Sequence, residues 1–381
     1  MTRLTLALAD LPPDVDPDGM WVDHTDALRT PERGGQLLHV TRGRADEVTA
    51  IDASTATVRL NNPDRTYDPR VGTVRTWMHA KVELDRDVGG VLPLFRGYIE
   101  RIGQLHEHAA DRWAEVHLVD VLKWLARTET AIDRPQELTG ARIAAVLDAA
   151  GWPVALRDID DGQVLVDATD ESDVALQLIR TAVEAEDGTF EQLPDGRLRF
   201  SDRHARLDLA PSATIAVEAP VSQAGEWSDD LMVNVAKVEL ADGTVVRYAD
   251  QDKVDQVGEM LWESPDLPVP YVEAEAAGMW RIFRYADDHE RTAPVTFDIV
   301  DLGSPLLERE IGELVVLQRR WPDETVDELD VVLEGIEHDV TAARWTAVWQ
   351  LSPWWGDEDW LVVADTEEDD VPGLDEGVAA P

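Results

Sequence analysis

The sequence contains no cysteine, and this absence excludes disulfides, zinc ribbons and thiol-based catalysis. It also lacks a long apolar run. Residues 4–9 are the apolar stretch nearest the N-terminus, and they are too few for a signal-peptide core or a membrane-spanning helix. We therefore expect synthesis in a cytoplasm without a secretion signal, and no insertion into a membrane.

Positive charge is scarce along the chain. The 34 basic residues stand against 78 acidic ones, which gives a formal net charge of −44. Because the acids are spread over the whole length, the chain repels nucleic acids and anionic membranes unless a local patch reverses the sign. The densest basic segment, 197–206, alternates with apolar and acidic residues and is typical of an exposed strand. We expect no specific binding of nucleic acid.

The usual entry motifs of enzymes are missing. No GxSxG, HExxH, GxxxxGK[ST] or GxGxxG occurs, so serine hydrolase, zincin, P-loop and dinucleotide sites lack their signal. His106 and His108 flank Glu107 and could form a zinc pair on one side of a strand. A peptidoglycan metallopeptidase also needs an upstream HxxxD element, but the spacing occurs only downstream, from His204 to Asp208. We interpret 106–108 as a solvated hairpin.

Two short acidic segments have the alternating carboxylates that open a calcium-binding loop. In the first, Thr25 stands where a bidentate Glu is needed, and Pro17 stiffens the loop. We interpret both segments as acidic turns. Their residues are Asp14, Asp16 and Asp18 before Gly19, and Asp158, Asp160 and Asp161 before Gly162.

Tryptophan is abundant, and a row of it could form a carbohydrate-binding platform. Trp113, Trp345, Trp349, Trp354 and Trp355 fall within strand patterns, so core and interface packing is the preferred interpretation. Paired carboxylates for glycoside hydrolysis carry no information when 78 acids are available. We predict no catalytic, cofactor-binding or metal-binding residues and no cofactor.

The hydrophobic pattern changes along the chain and predicts a mainly β fold with an α+β insertion. Residues 1–127 and 211–360 read as strands and turns, and each region is predicted to form a β-barrel, tube-like domain. Residues 128–210 read as a small α/β module between them. Residues 361–381 combine consecutive acids with Pro and Gly, which predicts a disordered acidic tail.

The α/β module carries two helical patterns and a hairpin. The first helix is predicted to be capped by Thr139 and to stop at Gly151. The second is predicted to start near Asp170 or Ser172 and to stop at Gly188. A hairpin follows, with Pro-Asp-Gly in its turn.

An internal repeat relates the two strand regions. Residues 77–119 and 310–351 each contain a strand, a Gly-containing strand and a Trp-containing strand. This similarity suggests two β domains of one architecture, and chance similarity between hairpins is the alternative. The matched pairs are Gly97 with Gly335, Glu100 with Glu337, and Trp113 with Trp345.

Five segments carry a resemblance to a known family. Residues 55–69, 93–102, 157–163, 178–204 and 331–353 together resemble the minor tail proteins of phages that infect actinobacteria, which belong in fold with siphophage tail hub proteins. The resemblance extends over most of 40–355. No lytic or fibre-like domain follows the resemblance, which argues against cell-wall hydrolysis.

The resemblance implies a non-enzymatic structural protein of the virion, at the tail tip. Such hubs form a trimer whose two tube-like domains per chain give a pseudo-sixfold ring, and the ring continues the tail tube. The implied partners are itself as a homotrimer, the distal tail and tail tube proteins, the tape measure protein and other tip or fibre proteins, with DNA passing through the lumen during ejection. The alternative is a tail-associated cell-wall hydrolase or a carbohydrate-binding adhesin.

Overall fold

The structure is a computed structural model of the chain. For residues 105–108, 111, 226–227 and 265–267 it describes the backbone alone. The expected acidic tail at 361–381 lies outside the described residues. These are 3–354 except 13–14, 29–34, 88, 109–110, 208, 217, 223–224, 228–230, 241, 268, 287–289 and 301–303.

The first part of the chain forms strands because apolar and polar residues alternate along it. Within 55–61, Ala56, Val58 and Leu60 are buried whereas the residues between them are not. Successive side chains of a strand point to opposite faces, so one face meets a core and the other stays polar. The strands are β1 (Arg3–Ala9), β2 (Val22–Asp23), β3 (Gln36–Gly43), β4 (Thr55–Asn61), β5 (His79–Arg86), β6 (Gly90–His108) and β7 (Asp111–Val119).

The middle region contains the two predicted helices and the predicted hairpin. The first helix ends just before Gly151, whose φ of +79° suits a glycine. The second ends at Asp187, which is itself left-handed at φ +54°. The elements are α1 (Leu122–Leu125), β8 (Glu129–Arg134), β9 (Glu137–Leu138), α2 (Thr139–Ala149), β10 (Arg157–Ile159), β11 (Leu165–Val166), β12 (Thr169–Val174), α3 (Ala175–Glu186), β13 (Thr189–Gln192) and β14 (Leu198–Ser201).

Both helix starts differ from the prediction. Thr139 is the first residue of α2 instead of its cap, and its hydroxyl donates a hydrogen bond to Glu186 at 2.6 Å. The helix α3 begins at Ala175, because Asp170 and Ser172 lie in β12, which pairs antiparallel with β8. The strand pairing satisfies the backbone groups that a longer helix would have used.

The last part of the chain is not strand throughout. Between β17 and β21, which pair with each other, lies a second α/β unit that the sequence does not predict. We call it the second α/β module (235–285), and 128–210 the first. The elements are β15 (Ala213–Ile215), β16 (Pro220–Ser222), β17 (Gly225–Trp227), β18 (Val235–Leu240), β19 (Val245–Ala249), α4 (Gln251–Val257), β20 (Leu261–Leu267), α5 (Tyr271–Tyr285), β21 (Glu290–Thr292), β22 (Val295–Asp298), β23 (Leu314–Arg320), β24 (Val326–Thr341) and β25 (Trp345–Pro353).

One large sheet organises the molecule. Among the described residues it has 13 strands, and its main path runs β16-β22-β25-β24-β3-β4-β7-β6-β5-β1-β2. The strand β23 also pairs with β24, and β15 pairs with β23 in the sole parallel contact of this sheet within the described chain. The described strands leave the sheet open, so they do not form the two closed barrels that the sequence predicts.

The predicted repeat is confirmed in its strand order. Neighbouring strands follow the order β1-β5-β6-β7-β4-β3 in the first repeat and β15-β23-β24-β25-β22-β16 in the second. In each repeat one long strand, β6 or β24, pairs antiparallel with the strand before it and the strand after it. The outermost strands differ in direction, since β1 is antiparallel to its neighbour and β15 is parallel.

The two repeats share one core instead of having the separate cores that the sequence predicts. The strand β3 of the first repeat pairs with β24 of the second, which makes the sheet continuous. A single cluster of buried apolar side chains accordingly extends from Leu6 to Leu351.

The pairing register fixes which residues of the repeats correspond. Ile99 lies opposite Leu118 in the first repeat, and Ile336 lies opposite Trp349 in the second. All four side chains are buried. The register therefore matches Ile99 with Ile336 and Leu118 with Trp349.

The predicted match of Trp113 with Trp345 is wrong by one position. By this register Trp345 corresponds to Ala114, and both are buried, at 7% and 0% exposure. Trp113 points to the other face of the sheet and is half-buried. A shift of one residue moves a side chain to the opposite face of a strand.

Candidate functional site

The face of the large sheet that is turned away from the core is polar across both repeats. In β7, Glu115 and His117 alternate with the buried Ala114, Val116 and Leu118. The same alternation in each neighbouring strand gives one continuous surface, which we call the polar face.

A single transverse row of the polar face crosses seven strands and both repeats. Each of its residues is directly opposite the next in the strand pairing, so the row is fixed by backbone register. Its members, in order, are Asp298, Thr346, Asp339, His39, Thr57, His117 and Arg101.

Charged groups of the polar face are largely paired with one another. Arg59 Nε lies 3.1 Å from Glu115 Oε2, and Arg101 Nη2 lies 2.8 Å from His117 Nε2. His39 lies between Glu337 and Asp339, at 3.7 and 4.0 Å. Arginines that already contact a partner offer little to a phosphate group, so the polar face is a poor nucleic-acid site.

The junction between the repeats brings two backbones very close. Gly43 ends β3 at φ +83°, and a Cβ there would lie 2.2 Å from the carbonyl oxygen of Glu334. A Cβ on Gly335 would lie 2.6 Å from the carbonyl oxygen of Arg44. Only glycine fits at either position without a backbone shift.

The two glycines that the sequence pairs, Gly97 and Gly335, each lie where a long strand passes from one partner strand to the next. A Cβ on Gly97 would lie 2.2 Å from the carbonyl oxygen of Val119. Both positions require close backbone approach. The register, however, matches Gly335 with Tyr98 and Glu337 with Arg101, so the predicted matches with Gly97 and Glu100 are each wrong by one position.

A buried carboxylate joins three parts of the chain behind this junction. Glu334 of the second repeat is fully buried and accepts hydrogen bonds from Arg44 Nε at 2.7 Å and Arg206 Nη1 at 2.5 Å. The hydroxyl of Ser352 donates a third, at 2.5 Å. Burial opposes ionisation, but Arg206 and Arg44 hold the pKa of Glu334 well below its usual value. The ion cluster ties the first repeat and the first α/β module to the second repeat.

A second ion cluster joins the two α/β modules. Asp187, at the end of α3, accepts hydrogen bonds from Trp280 Nε1 and Arg281 Nη1 of α5, both at 2.9 Å. Arg284 lies 3.5 Å away. Burial opposes ionisation of Asp187, but Arg281 and Arg284 lower its pKa.

Sequence inspection misses both clusters. The first cluster could have been predicted from Glu334. This acid directly follows the apolar run 331–333, at a strand position where the alternation predicts a buried side chain. The signal for the second is the Asp-Gly pair after α3, which reads as an ordinary helix end.

The histidine pair and the acidic turns are placed as follows. His106 and His108 lie in the last residues of β6, for which the structure describes the backbone alone. Asp14 lies outside the described residues, and Asp16 forms an ion pair with Arg96 at 2.8 Å. Within the described part of the chain no group of three metal-ligating side chains converges.

In the second acidic segment, Asp158 lies in β10, which pairs in parallel with β14. Asp160 and Asp161 follow in the loop after this strand, so the segment is not a single acidic turn. Asp158 lies 3.3 Å from Arg197, and Asp160 accepts a hydrogen bond from the Asp202 amide at 3.2 Å. Burial is the main reason why the pKa of Asp160 is raised. These carboxylates serve the packing of the first module.

The predicted tryptophans do not form one platform. Trp345 and Trp349 are buried in the core, at 7% and 0% exposure, as the packing interpretation predicts. Trp354 is half-buried and donates to the Arg206 carbonyl at 2.9 Å. Trp113 is half-buried on the polar face, and Trp355 lies outside the described residues. Among the described helices none is long and apolar enough to cross a membrane.

Comparison with known proteins identifies the fold. No protein-family model matches the chain, and no curated protein matches it in sequence. A tail protein from Neisseria meningitidis MC58 matches in structure with a TM-score of 0.61 at 12% identity, over 93% of this chain and 98% of that one. The 43 kDa tail protein of prophage MuSo2 from Shewanella oneidensis matches with a TM-score of 0.59 at 13% identity, over 92% and 97%. The chain has a phage tail protein fold.

A third match extends this fold to secretion systems. The E. coli c3393 protein, a type VI secretion component with structural similarity to the T4 tail proteins gp27 and gp5, has a TM-score of 0.51 at 10% identity, over 86% of this chain and 75% of that one. The predicted resemblance to tail hub proteins is thus confirmed at the level of fold. The link to siphophages of actinobacteria stays a prediction.

Proposed function

We propose that this protein is a non-enzymatic structural component of a phage tail, the hub that joins the tail tube to the host-facing tip. The observation that carries the proposal is the duplicated sheet, in which β24 of the second repeat pairs with β3 of the first. It is supported by likeness to tail proteins over almost the whole length of the chain.

A duplicated sheet is suited to a ring of three chains. Because each chain has two equivalent repeats, a ring of three chains presents six similar surfaces. These surfaces can match the six subunits of a hexameric tail tube. The domain division proposed from the sequence, 1–127, 128–210 and 211–360, assigns one repeat to each outer domain. In this arrangement the first α/β module decorates the outside of the ring.

The polar face is suited to line the lumen of such a ring. Arg59 and Arg101 of this face contact Glu115 and His117, and the chain as a whole carries a net charge of −44. Phosphate backbones would therefore pass without being held by unpaired cations. The ring would guide DNA through its shape and its charge, without catalysing a reaction.

The partners follow from this position in the virion. They are two further copies of the chain, the distal tail and tail tube proteins, the tape measure protein and other tip or fibre proteins. The protein would be made in the host cytoplasm and end in the virion tail tip.

Electron microscopy of the purified protein and of tails tests the proposal. We expect threefold rings with six similar lobes, and labelling by an antibody against this chain at the tip of isolated tails. Tails that contain the chain in six copies, or that carry the label along their length, would contradict the hub assignment. Hydrolysis of peptidoglycan in a zymogram, abolished by His106→Ala, would contradict the non-enzymatic assignment.

A further inference from the structure

Among the open sheet edges of the described chain, two have an occupied counterpart in the other repeat. From Arg101 to Gln104, β6 pairs with β7 on one side, and no described strand lies on its other side. The strand β16 pairs with β22 on one side, and no described strand lies beyond it. We call these the β6 edge (residues 101–104) and the β16 edge (residues 220–222).

The counterpart of the β6 edge is the part of β24 that binds β3. Gly103 lies opposite Glu115, and Asp339 lies opposite Thr346. The bulge in β6 adds one residue to that strand. When this extra residue is left out, Gly103 is as far along the strand from Ile99 as Asp339 is from Ile336. Gly103 therefore corresponds to Asp339, which pairs with β3.

The counterpart of the β16 edge is β3 itself. Pro220 lies opposite Phe297 in β22, and Leu38 lies opposite Val58 in β4. Phe297 and Val58 occupy equivalent positions in the two repeats, because Phe297 pairs with β25 at the place where Val58 pairs with β7. Pro220 thus corresponds to Leu38, and Ser222, after a bulge, corresponds to the next residue of β3.

We propose that the β6 edge of one copy pairs antiparallel with the β16 edge of a second copy, and so reproduces between chains the junction that β24 and β3 form within the chain. The inference rests on the proposed function. The internal junction sets the register of the proposed contact. Within the chain, Asp339 lies opposite His39 and Val340 lies opposite Leu38. Between copies, Gly103 would accordingly lie opposite Ser222, and Gln104 opposite Pro220, of the second copy.

The local chemistry of both edges fits a partner strand. The apolar Val221 is 56% exposed on the β16 edge. A Cβ on Gly103 would meet only ordinary contacts, 3.6 Å from the Glu115 carbonyl oxygen, so this position of the β6 edge accepts a side chain without a backbone shift. Exposed backbone donors and acceptors at a sheet edge are a template for another strand.

The side chain of Gln104, on the β6 edge, is already satisfied within its own chain. Gln104 accepts a hydrogen bond from Asn62 Nδ2 at 3.0 Å and donates one to the Tyr67 carbonyl at 2.7 Å. Covering it with a second chain therefore leaves no unpaired amide. Pro220 has no N–H, so the donors of the new ladder would come from Ser222 and the β6 edge.

Such a contact joins two different surfaces of identical chains. A contact of this head-to-tail kind gives a closed ring or an open filament, depending on whether the rotation between copies closes. Because it copies the internal junction, internal and intermolecular junctions alternate around the assembly.

The absence of cysteine makes the contact testable by disulfide trapping. Directly opposed residues of antiparallel strands have Cα atoms about 4.5–5.5 Å apart, within the range a disulfide accepts. We expect the full-length Gly103→Cys/Ser222→Cys double variant, oxidised at high salt, to convert most chains into covalent trimers on a non-reducing gel. Each single variant should give no disulfide-linked trimer.

Two matched controls keep the test decisive. The His39→Cys/Asp339→Cys variant, which reproduces the same register at the internal junction, should form a disulfide within one chain and remain monomeric on the gel. Val221→Lys should weaken association about tenfold in sedimentation, because an edge lysine blocks strand addition. Val300→Lys, at a position that is 93% exposed, should leave association unchanged.

Three outcomes would overturn the inference. A disulfide dimer from Gly103→Cys alone would mean that β6 edges pair with each other. An internal disulfide without any linked trimer, or equal association of the two lysine variants, would mean that copies meet elsewhere. If the label nevertheless lies at the tail tip, the proposed function stands and only this contact fails.

Discussion

At the scale of single residues, the junction depends on a carboxylate that is buried and bonded to two arginines. Glu334→Gln keeps the shape but leaves Arg44 and Arg206 without a negative partner. We expect it to lower the free energy of unfolding by about 3–5 kcal/mol, the usual cost of removing one member of a buried ion cluster. Urea unfolding followed by tryptophan fluorescence measures the change.

The matched control for this change is Glu337→Gln, three residues along the same strand. The Glu337 side chain is 38% exposed on the polar face, beside His39. Its loss should cost less than about 1 kcal/mol, as for other exposed ion pairs. Equal costs for the two variants would show that the buried cluster is not a structural tie.

A buried histidine of the same strand gives the protein a pH dependence. His338 is 5% exposed and accepts a hydrogen bond from Trp345 Nε1 at 3.3 Å. Burial, with a smaller effect of Arg42, lowers its pKa to about 3. The unfolded chain therefore binds the extra proton more readily, and the contribution of His338 to stability falls as the pH drops below about 6.5.

His338→Asn tests this effect, because asparagine can accept the same hydrogen bond and does not titrate. We expect the stability advantage of the wild type over His338→Asn to shrink by about 2 kcal/mol between about pH 8 and pH 5. The comparison is needed because burial raises the pKa of Asp120 to about 7, which makes stability fall as the pH rises over part of the same range. A constant difference across pH would contradict the prediction.

At the scale of elements, the close backbone approach between β3 and β24 can be measured by adding one methyl group. Gly43 and Gly90 have similar φ values, +83° and +75°, but a Cβ on Gly90 would meet nothing within 4 Å. Alanine at Gly90 should cost about 1–2 kcal/mol for the left-handed backbone alone. Alanine at Gly43 should cost at least about 2 kcal/mol more, since the Glu334 carbonyl must move. Thermal unfolding of the two variants would refute this if their losses were equal.

The difference in burial between Trp113 and Trp345, which follows from the one-residue error in their predicted match, also has an energetic consequence. Trp345→Ala removes a buried aromatic and should cost about 3–5 kcal/mol. Trp113→Ala removes a half-buried side chain on the polar face and should cost about 1 kcal/mol. Denaturant unfolding of both variants compares them, and equal large losses would restore the match that the sequence suggests.

Strand patterns, the helices α2 and α3 and the order of the repeat could be predicted from the sequence, because periodicity and glycine positions are local. The register of the repeat could not, since the bulges near Ile99 and Leu333 appear only in the pairing of strands. The helix α5 escaped prediction because its buried stripe contains Ala274 and Gly278, and Gly278 is small so that the Tyr248 ring can approach. The Glu334 cluster unites residues far apart in the chain, which no local pattern reveals.

At the scale of the whole molecule, the net charge of −44 opposes association of copies. Raising the salt concentration from about 0.1 M to about 1 M shortens the Debye length from about 10 Å to about 3 Å. We therefore expect light scattering to show mainly monomers at low salt and trimers at high salt. A two-fold dimer that persists at every salt concentration would contradict the ring.

The continuity of β24 with β3 also determines how a ring of three chains would come apart. Every second junction is held by the covalent chain, which keeps its two halves at an effective concentration in the millimolar range whatever the protein concentration. The other junctions depend on how much free protein is present. Dilution or force would therefore separate the ring at three alternate seams, and each released piece would be a rigid third of the circle with its own internal seam still closed.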